Sequence, residues 1–519
     1  MTRKIAFLCL AALAVASCTH APPPQNSGIP APAAWSQPGT TNDTAKIDHN
    51  WWEHFADPTL NELIAEAIQN NKTIAIAKAR VEEARANRAA TRAQLLPNIS
   101  AIGTATRENL GVNTFGSTYG IGEADVSASW ELDLFGGNQA RTAAANALLQ
   151  SEEAYTHAVM ISMLAEVARN YFDMRNDARQ IAVTEQNLAK QQKTYELIKA
   201  QQQGAMVSDF DVQRAGAEVS TTAAQIPVLK AAYGAAENDL NVLLGYPPGT
   251  KNALLEKEEL LRPVDPHILV AAPAAVLANR PDVRAAERQF AASISNSRAA
   301  VAGLFPQINL LGLYGYQDSN LLSIAHPWSI GASLMQPVLD FGRVSSQIDL
   351  ANAQQKEALL NYQQTVLAAL KDMENALTNY LRETERNAAL KAAFEQTHRA
   401  AELANLQLKN GEIGLLDVLV AERDALNTES ALAGSDAALR KDLVNIYAAA
   451  GGGWNVAAVQ TPLQITQVQM NIALPTTQPA SASAPPPVAA ISTAVPASAP
   501  RPVKPQIVQI PHGGPTIIQ

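Results

Sequence analysis

Two aspartates occupy matching positions in a chain that repeats itself. Gly204 precedes Asp211 by a short turn-like stretch, and Gly411 precedes Asp417 in the same way. Each carboxylate therefore comes just after a turn between two helical segments. Their matching positions after the two turns make these carboxylates the candidate site residues of the chain.

Motifs that would indicate an enzyme do not occur in the sequence. The eight histidines are scattered, and there is no HExxH, no GxSxG and no phosphate-binding loop. His49 and His54 lie on either side of Glu53, but we interpret this stretch as an exposed segment before a helix rather than as a metal site. We therefore expect no catalytic residues, no metal and no dissociable cofactor.

Cys18 is a candidate for covalent modification. Arg3 and Lys4 are followed by an apolar stretch that is too short to be a stable membrane anchor, which predicts an export signal at 1–17. The run Val15-Ala16-Ser17-Cys18 resembles the lipobox of bacterial lipoproteins, which implies a covalent lipid on Cys18; plain cleavage after a small residue is the alternative. Cys9 lies inside the signal and would be removed with it, so a mature chain lipidated at Cys18 would have no free thiol for a disulfide or a metal site.

The charge pattern gives no indication of a nucleic-acid partner. The formal net charge is −9, charged residues make up 17% of the chain, and no basic patch is interleaved with aromatic residues. No apolar run after the signal is long enough for a transmembrane helix. If the chain crosses a membrane, it must do so as a closed β-barrel, because only that alternative pairs all backbone groups in lipid.

The repeat divides the chain into two copies of one half-fold. A segment from about Leu60 to Gly245 recurs, weakly but in order, from about Pro273 to Gly451, and it is too long for a solenoid unit. The predicted organisation is a signal peptide at 1–17, a flexible tether at 18–46, a first repeat at 47–249, a linker at 250–272, a second repeat at 273–454 and a disordered Pro/Ala-rich tail at 455–519.

Very long helices dominate each half. From Gly137 to Gln203 there is no proline, which predicts one helix of about 65 residues, roughly 100 Å long. Apolar residues alternate at spacings of four and three along it, which indicates coiled-coil packing: Met160, Leu164, Val167, Tyr171, Met174, Ala178 and Ile181. The second half repeats the seam at Val366, Leu370, Met373, Leu377 and Tyr380. Other helices are predicted at about Asp57–Gln94, Val207–Leu244, Pro273–Gly303, Gly342–Lys409 and Leu415–Ala449.

Two strands are predicted in each half, after Pro97 and Pro306 end the preceding helices. Apolar and polar residues alternate from Ala124 to Leu134 and from Trp328 to Leu334. About ten such residues are typical of a transmembrane β-strand, although half-buried strands of soluble proteins alternate too. Four strands cannot close a membrane barrel, since the smallest have about eight. A spanning chain must oligomerise, and the pattern alone does not choose between two copies and three.

Several motifs, taken in order, resemble the outer membrane factor family, the trimeric channel-tunnels of bacterial efflux and type I secretion. The resemblance runs from Cys18 to Trp454. Its motifs are Trp51-Trp52 with Phe55-Ala56-Asp57-Pro58, Ala79-Arg80-Val81, Leu95-Leu96-Pro97, Trp130-Glu131-Leu132-Asp133-Leu134-Phe135-Gly136, Asn279-Arg280-Pro281-Asp282-Val283 and Gly451-Gly452-Gly453-Trp454.

The resemblance implies a fold, a location and partners. The fold is that of a mixed α/β membrane protein, a homotrimer in which twelve strands form a β-barrel in outer membrane lipid and coiled-coil helices form a periplasmic α-helical barrel. The expected function is that of a passive exit duct for small molecules such as drugs or toxic compounds. Its expected partners are a periplasmic adaptor protein and an inner membrane transporter of the resistance-nodulation-division (RND) class. A type I protein secretion channel and a lipid-anchored coiled-coil scaffold are the alternatives.

The resemblance also implies a gate at the periplasmic tip, where the helices turn. There Asp211 matches an aspartate that ties neighbouring helices, and Asp417 matches an aspartate that rings the constriction. Val420 stands where the family carries a second acidic ring residue, so this ring is less acidic. We expect Glu422 to lie on a solvated helix face, with an ion pair to Arg214 or Arg423 as the alternative.

Overall fold

A computed structural model describes residues 26–37, 41, 47, 49–109, 118–204, 206–255, 270–319 and 324–454. The predicted signal peptide, Cys18 and the predicted Pro/Ala-rich tail lie outside these residues, so the expectations for them are not addressed by the fold.

The two halves contain the same elements in the same order. After a short 3-10 helix (Trp51–Phe55), the first half has α1 (Pro58–Asn70), α2 (Lys72–Ala93), β1 (Asn98–Asn109), β2 (Thr118–Leu132), α3 (Gly137–Gln203) and α4 (Asp209–Leu243). The second half has α5 (Pro273–Asn279), α6 (Pro281–Ala302), β3 (Gln307–Ser319), β4 (Trp328–Met335), α7 (Arg343–Asn410) and α8 (Leu415–Ala449). The predicted duplicated half-fold is therefore confirmed.

Two helices that the sequence predicted as continuous are broken near their start. The predicted helix Asp57–Gln94 is interrupted at Asn71, whose backbone is extended and whose side chain accepts a hydrogen bond from the Ile74 N–H. The predicted helix Pro273–Gly303 is interrupted at Arg280, which is extended because the ring of Pro281 disfavours helical geometry in the residue before it. In both halves, a short helix therefore precedes the one that leads to the sheet.

Most of the predicted seam of the long helices is buried, while Ala178, Ile181 and Leu370 are partly exposed. Met160, Leu164, Val167, Tyr171 and Met174 of α3 are all 0% exposed, and Met373 and Leu377 of α7 are equally buried. They form one core with the 3-10 helix, α1 and the end of α8. No helix in the described part of the chain is both long enough and apolar enough to cross a membrane.

Aspartates hold the junctions between strands and long helices. The Asp133 carboxylate accepts hydrogen bonds from the N–H groups of Asn138 (3.1 Å) and Gln139 (2.7 Å) at the start of α3. Asp340 accepts one from the Val344 N–H (3.0 Å) at the start of α7. These bonds use the unpaired N–H groups of the first helical turn, so each strand passes directly into a capped helix.

The four strands form one antiparallel sheet in the order β1-β2-β3-β4. Where the two halves meet, Leu132 of β2 lies opposite Ile308 of β3. One face carries exposed apolar side chains, among them Ile99 (68% exposed), Tyr314 (63%) and Ile330 (85%). Strand β2 begins six residues before the predicted Ala124, at Thr118, because its pairing with β1 extends that far although the apolar-polar alternation does not. The outer edges of β1 and β4 have no neighbouring strand within the described residues.

Part of the predicted flexible tether packs on α7. Trp35 is 5% exposed, and its Nε1 donates to the carbonyl of Ala271 (2.9 Å). The backbone N–H of Ser36 donates to Glu374 (2.9 Å), and Gln363 donates to the carbonyl of Ser27 (2.9 Å). The expectation that 18–46 makes no fixed contact is therefore wrong for 26–37. A single tryptophan and a few polar groups attach this Pro/Ala-rich segment, and such isolated contacts do not show in a composition.

Candidate functional site

The turn between α3 and α4 and the turn between α7 and α8 meet in a small apolar cluster. Ile198 of α3 and Val212 of α4 pack there with Leu415 and Leu419 of α8. Both aspartates singled out in the sequence lie next to this cluster, since Asp211 precedes Val212 and Asp417 lies between the two leucines. The structure thus brings the two repeated turns together as one site, which we call the turn cluster.

Asp211 caps its own helix. Ser208 is the N-cap residue of α4, and its hydroxyl donates to the Asp211 carboxylate (2.6 Å), as does its backbone N–H (3.1 Å). The Asp211 N–H in turn donates to the Ser208 hydroxyl (3.3 Å), which completes a capping box. These hydrogen bonds, helped by Arg214, lower the pKa of Asp211 below its ordinary value. The carboxylate therefore stays charged, and it is already bound within its own turn.

Asp417 has no such partner. It holds the third position of α8, as Asp211 does in α4, but the N-cap residue of α8 is Gly414, which has no side chain. The Asp417 side chain is exposed, and within the described residues no hydrogen bond or ion pair involves its carboxylate. Val420, one turn further along, is 38% exposed. The second repeat therefore presents an unbound carboxylate beside an exposed apolar side chain.

Glu422 is buried, contrary to the solvated face that the sequence predicted. It is 4% exposed, and its Oε1 accepts a hydrogen bond from Asn405 of α7 (2.9 Å) rather than from Arg214 or Arg423. Among the residues that the structure describes, none forms a hydrogen bond with its Oε2. Burial raises the pKa of Glu422, while Asn405 and Lys190 oppose that rise. The missed signal was its position, because Leu415, Leu419, Glu422 and Leu426 continue the four-three spacing of a coiled-coil seam.

A cavity of about 500 Å³ opens beside Glu422, between α3, α7 and α8. Lys190 and Lys193 line it on α3, and His398 and Glu402 line it on α7. The lining therefore offers ion-pairing groups of both signs. In the described part of the chain, no three His, Cys, Asp or Glu side chains are grouped as metal ligands would be.

A second polar cluster, which the sequence did not predict, joins the C-terminal part of α8 to α3 and α7. On one side, Lys441 donates to Asp173 of α3 (2.5 Å). On the other, Ser435 donates to Glu383 of α7 (2.5 Å), and Asn387 donates to Asp436 (2.9 Å). We call these six residues the mid-helix cluster. Ser435 is 0% exposed, but it does not continue the four-three spacing of Leu415, Leu419, Glu422 and Leu426, so no periodicity marked it in the sequence.

Asp442 lies beside the mid-helix cluster, and the pKa of its carboxyl group is strongly raised. Burial, followed by the negative charge of Glu383, raises its pKa to about 6, while Lys441 and a hydrogen bond from Asn445 oppose that rise. A carboxyl with this pKa changes its charge within a mildly acidic range. We therefore expect the charge of Asp442, next to these contacts of α8, to change as the pH passes through about 6.

Known proteins are similar to this chain in sequence and in fold. The model of the family described as Outer membrane efflux protein matches residues 63–246 and 272–452, one segment in each repeat. Nodulation protein T of Rhizobium leguminosarum bv. trifolii is 31% identical over 454 residues, which cover 86% of this chain and 97% of that protein. Pyoverdine export outer membrane protein OpmQ of Pseudomonas putida is 29% identical over 464 residues, which cover 86% of this chain and 97% of OpmQ.

A solved structure is also similar to this chain in its fold. The outer-membrane channel OprN superposes with a TM-score of 0.77 at 29% identity, and the match covers 84% of this chain and 98% of OprN. The resemblance noted in the motifs, the mixed α/β fold class, the location and the transport function are thereby confirmed. The chain belongs to the outer membrane efflux protein family and is an outer membrane exit channel of a tripartite efflux pump.

Proposed function

We propose that three copies of the chain assemble into a passive duct that carries small molecules from the periplasm across the outer membrane. The observation that carries this proposal is the four-stranded sheet, which has an exposed apolar face and two open edges. In lipid, open edges would leave backbone N–H and C=O groups unpaired, at several kcal/mol each. Three sheets joined edge to edge supply the twelve strands that the resemblance implies.

The cargo is proposed to be small molecules rather than proteins. The relative OpmQ is named for the export of pyoverdine, which supports small organic cargo. Nothing in the sequence has the pattern of a nucleotide-binding loop, so the duct conducts passively and takes its direction from its partners. Those partners are a periplasmic adaptor protein and an inner membrane RND transporter. The chain itself is proposed to have no catalytic activity and no cofactor.

A lipid on Cys18 is proposed to add a second attachment to the outer membrane. The lipobox-like run that ends at Cys18 supports it, and residues 26–37, which pack on α7, would connect the lipid to the helices.

The turn cluster is proposed to be the periplasmic gate. Around a three-fold axis, each Asp417 would add one exposed carboxylate to a ring, and like charges held close together repel. Exposed Val420 would narrow the same opening without charge. Asp211, whose carboxylate is bound by Ser208, is proposed to act on the gate indirectly, by fixing the turn from which α4 starts.

Two measurements test the duct. In a strain that lacks its own exit channel, the chain should restore resistance to toxic small molecules only when an adaptor and a pump are present. Purified protein in planar bilayers should conduct ions without any nucleotide. Restored resistance without a pump, or conductance that needs ATP, would contradict a passive duct.

A further inference from the structure

We propose that β4 of one copy pairs with β1 of the next copy in the register of the internal β2–β3 pair, and that Phe341 packs on Leu96 across the same boundary. This inference rests on the proposed trimer and adds to it the residues that join the subunits. The β2–β3 pair is the template for this contact between copies, because it joins the two halves of the sheet within one chain.

The two halves correspond residue by residue. The spacing from Lys72 to Pro281, where α2 and α6 begin, equals the spacing from Pro97 to Pro306. This shift carries β1 onto β3. A second shift, from Gly137 to Arg343 at the starts of α3 and α7, carries β2 onto β4.

The strand pairs confirm both shifts. Asn98 lies opposite Ser129 in the first half, and their shifted counterparts, Gln307 and Met335, lie opposite each other in the second half. The correspondence therefore holds in the paired backbone as well as in the order of elements.

Applying the two shifts to the β2–β3 pair gives the register between copies. Ser129 lies opposite Leu311 and Ala128 lies opposite Gly312 within the chain. The β4 counterparts of Ser129 and Ala128 are Met335 and Leu334, and the β1 counterparts of Leu311 and Gly312 are Ile102 and Gly103. Met335 of one copy should therefore lie opposite Ile102 of the next copy, and Leu334 opposite Gly103 of the next copy.

The side chains on the two open edges fit this register. Ile102 is 56% exposed on the face that it shares with Ser100 and Thr104, and Met335 is 65% exposed on the face that it shares with Ser333. The register sets Met335 against Ile102 and Ser333 against Thr104, so apolar meets apolar and hydroxyl meets hydroxyl. The chain already has such a hydroxyl pair, since Ser100 and Ser127 hydrogen-bond across β1 and β2 (2.8 Å). A shift by two residues would set Met335 against a hydroxyl.

Phe341 supplies a second contact at the same boundary. Inside the chain, Phe135 stacks on Phe305 with ring centroids 4.8 Å apart and planes inclined by 9°. The counterpart of Phe135 is Phe341, and the counterpart of Phe305 is Leu96, the residue before Pro97.

Within one chain, Phe341 and Leu96 are both more exposed to solvent than Phe135 and Phe305. Phe341 is 91% exposed and has a φ of 52°, a conformation that is unfavourable for a bulky residue, and Leu96 is 66% exposed. Packing Phe341 on Leu96 of the next copy would bury both side chains.

Disulfide trapping tests the register in intact outer membranes. Directly opposite residues of antiparallel strands have Cα atoms about 4.5–5.5 Å apart, which a disulfide can bridge. The double variant Met335→Cys with Ile102→Cys should give covalent dimers and trimers on a non-reducing gel after mild oxidation. The two single variants and the unmodified chain, whose natural cysteines are Cys9 and Cys18, should give monomers.

Two matched double variants move the partner by two residues on the same face. They combine Met335→Cys with Ser100→Cys or with Thr104→Cys, and they should cross-link far less than the first pair. Stronger cross-linking of either one would contradict the register. If a native mass measurement shows a trimer and no pair cross-links, edge pairing at these residues is wrong while the trimeric duct stands. A mass other than that of a trimer would overturn the proposed function as well.

The aromatic contact has its own test. Phe341→Ala and Leu96→Ala should each lower the temperature at which the trimer dissociates in detergent, and the double variant should lower it by less than the sum of the two effects. Val126→Ala is the control, because Val126 is also exposed (49%) but lies on the inner strand β2, away from both open edges. An unchanged dissociation temperature for Phe341→Ala, or strictly additive effects, would contradict contact between Phe341 and Leu96.

Discussion

Asp211 and Asp417 occupy the same third position of corresponding helices, yet only Asp211 is bound by its own cap residue. The Ser208 hydroxyl donates to Asp211 over 2.6 Å, whereas Gly414, the cap residue of α8, offers no side chain to Asp417. Duplication has therefore left two aspartates with different surroundings. One stabilises a turn, and the other keeps an exposed carboxylate at the place where three copies of the chain would converge.

Asp417→Ala should make the closed state less stable. We expect a several-fold higher open probability in planar bilayers and weaker block by divalent cations, because the variant removes the carboxylates that a bound cation would hold together in the closed ring. The control is Asp424→Ala, which removes the same charge from an exposed position further along α8. If conductance and cation block in Asp417→Ala equal those of the Asp424→Ala control, then Asp417 is not a gate residue.

Ser208→Ala should loosen the start of α4. Loss of an N-cap side chain destabilises a helix by about 1 kcal/mol, so the amides at 209–212 should exchange hydrogen several times faster. Ser208→Asp should keep slow exchange, since an aspartate can also cap. The corresponding change in the other repeat, Gly414→Ser, should slow exchange at the start of α8. Equal exchange in Ser208→Ala and in the unmodified chain would show that the capping box does not hold this turn.

The sequence predicted the helices, the sheet and both turn aspartates, because these depend on periodicity and on local turn residues. The four-three seam from Met160 to Met174 is buried as predicted. The different surroundings of Asp211 and Asp417 could have been predicted from the residues before them. Ser208 has a side chain that can cap a helix, whereas Gly414 has no side chain. Burial of Glu422 could not be read from its charge, because charge favours the surface while its seam position favours the interior.

Asp442→Asn should change the pH dependence of stability. The pKa of Asp442 in the folded chain is about 6, above its ordinary value of 3.8, so the folded state binds more protons between these values. Stability therefore falls as pH rises from about 4 to 6. The variant should be more stable at pH 7, by on the order of 1–2 kcal/mol after allowance for partial solvent exposure, and equally stable near pH 4.

Thermal melts of the helical signal across pH 4 to 8 measure this effect. The control is Asp424→Asn, which changes an exposed carboxyl on the same helix. Parallel stability curves for Asp442→Asn and the unmodified chain would show that Asp442 does not titrate with the raised pKa.

Cys18→Ser should reduce the amount of mature protein and leave part of the efflux activity. The sheets would still hold the trimer in the membrane, so the resistance that remains should follow the amount of protein present. Metabolic labelling with a radioactive fatty acid should mark the unmodified chain and not the variant. Complete loss of efflux, with a normal amount of correctly located trimer, would show that the lipid has a role beyond attachment.

The contacts that the sequence did not predict are those made between distant segments. The attachment of Trp35 to Ala271 and the mid-helix cluster join residues far apart in the chain, and neither follows from a repeat or a periodicity. The break at Arg280 is different, because the proline after it was visible and its effect on the preceding residue is local. The local effect of Pro281 is therefore sufficient to explain this break.

The most direct test of the trimeric duct is electron microscopy of single particles of the mature protein, extracted from outer membranes in detergent. Three-fold tubes, with a barrel at one end and a long tapering helical arm at the other, are the predicted result. Particles without three-fold symmetry, or helical particles without a barrel end, would contradict the duct and favour a lipid-anchored helical scaffold.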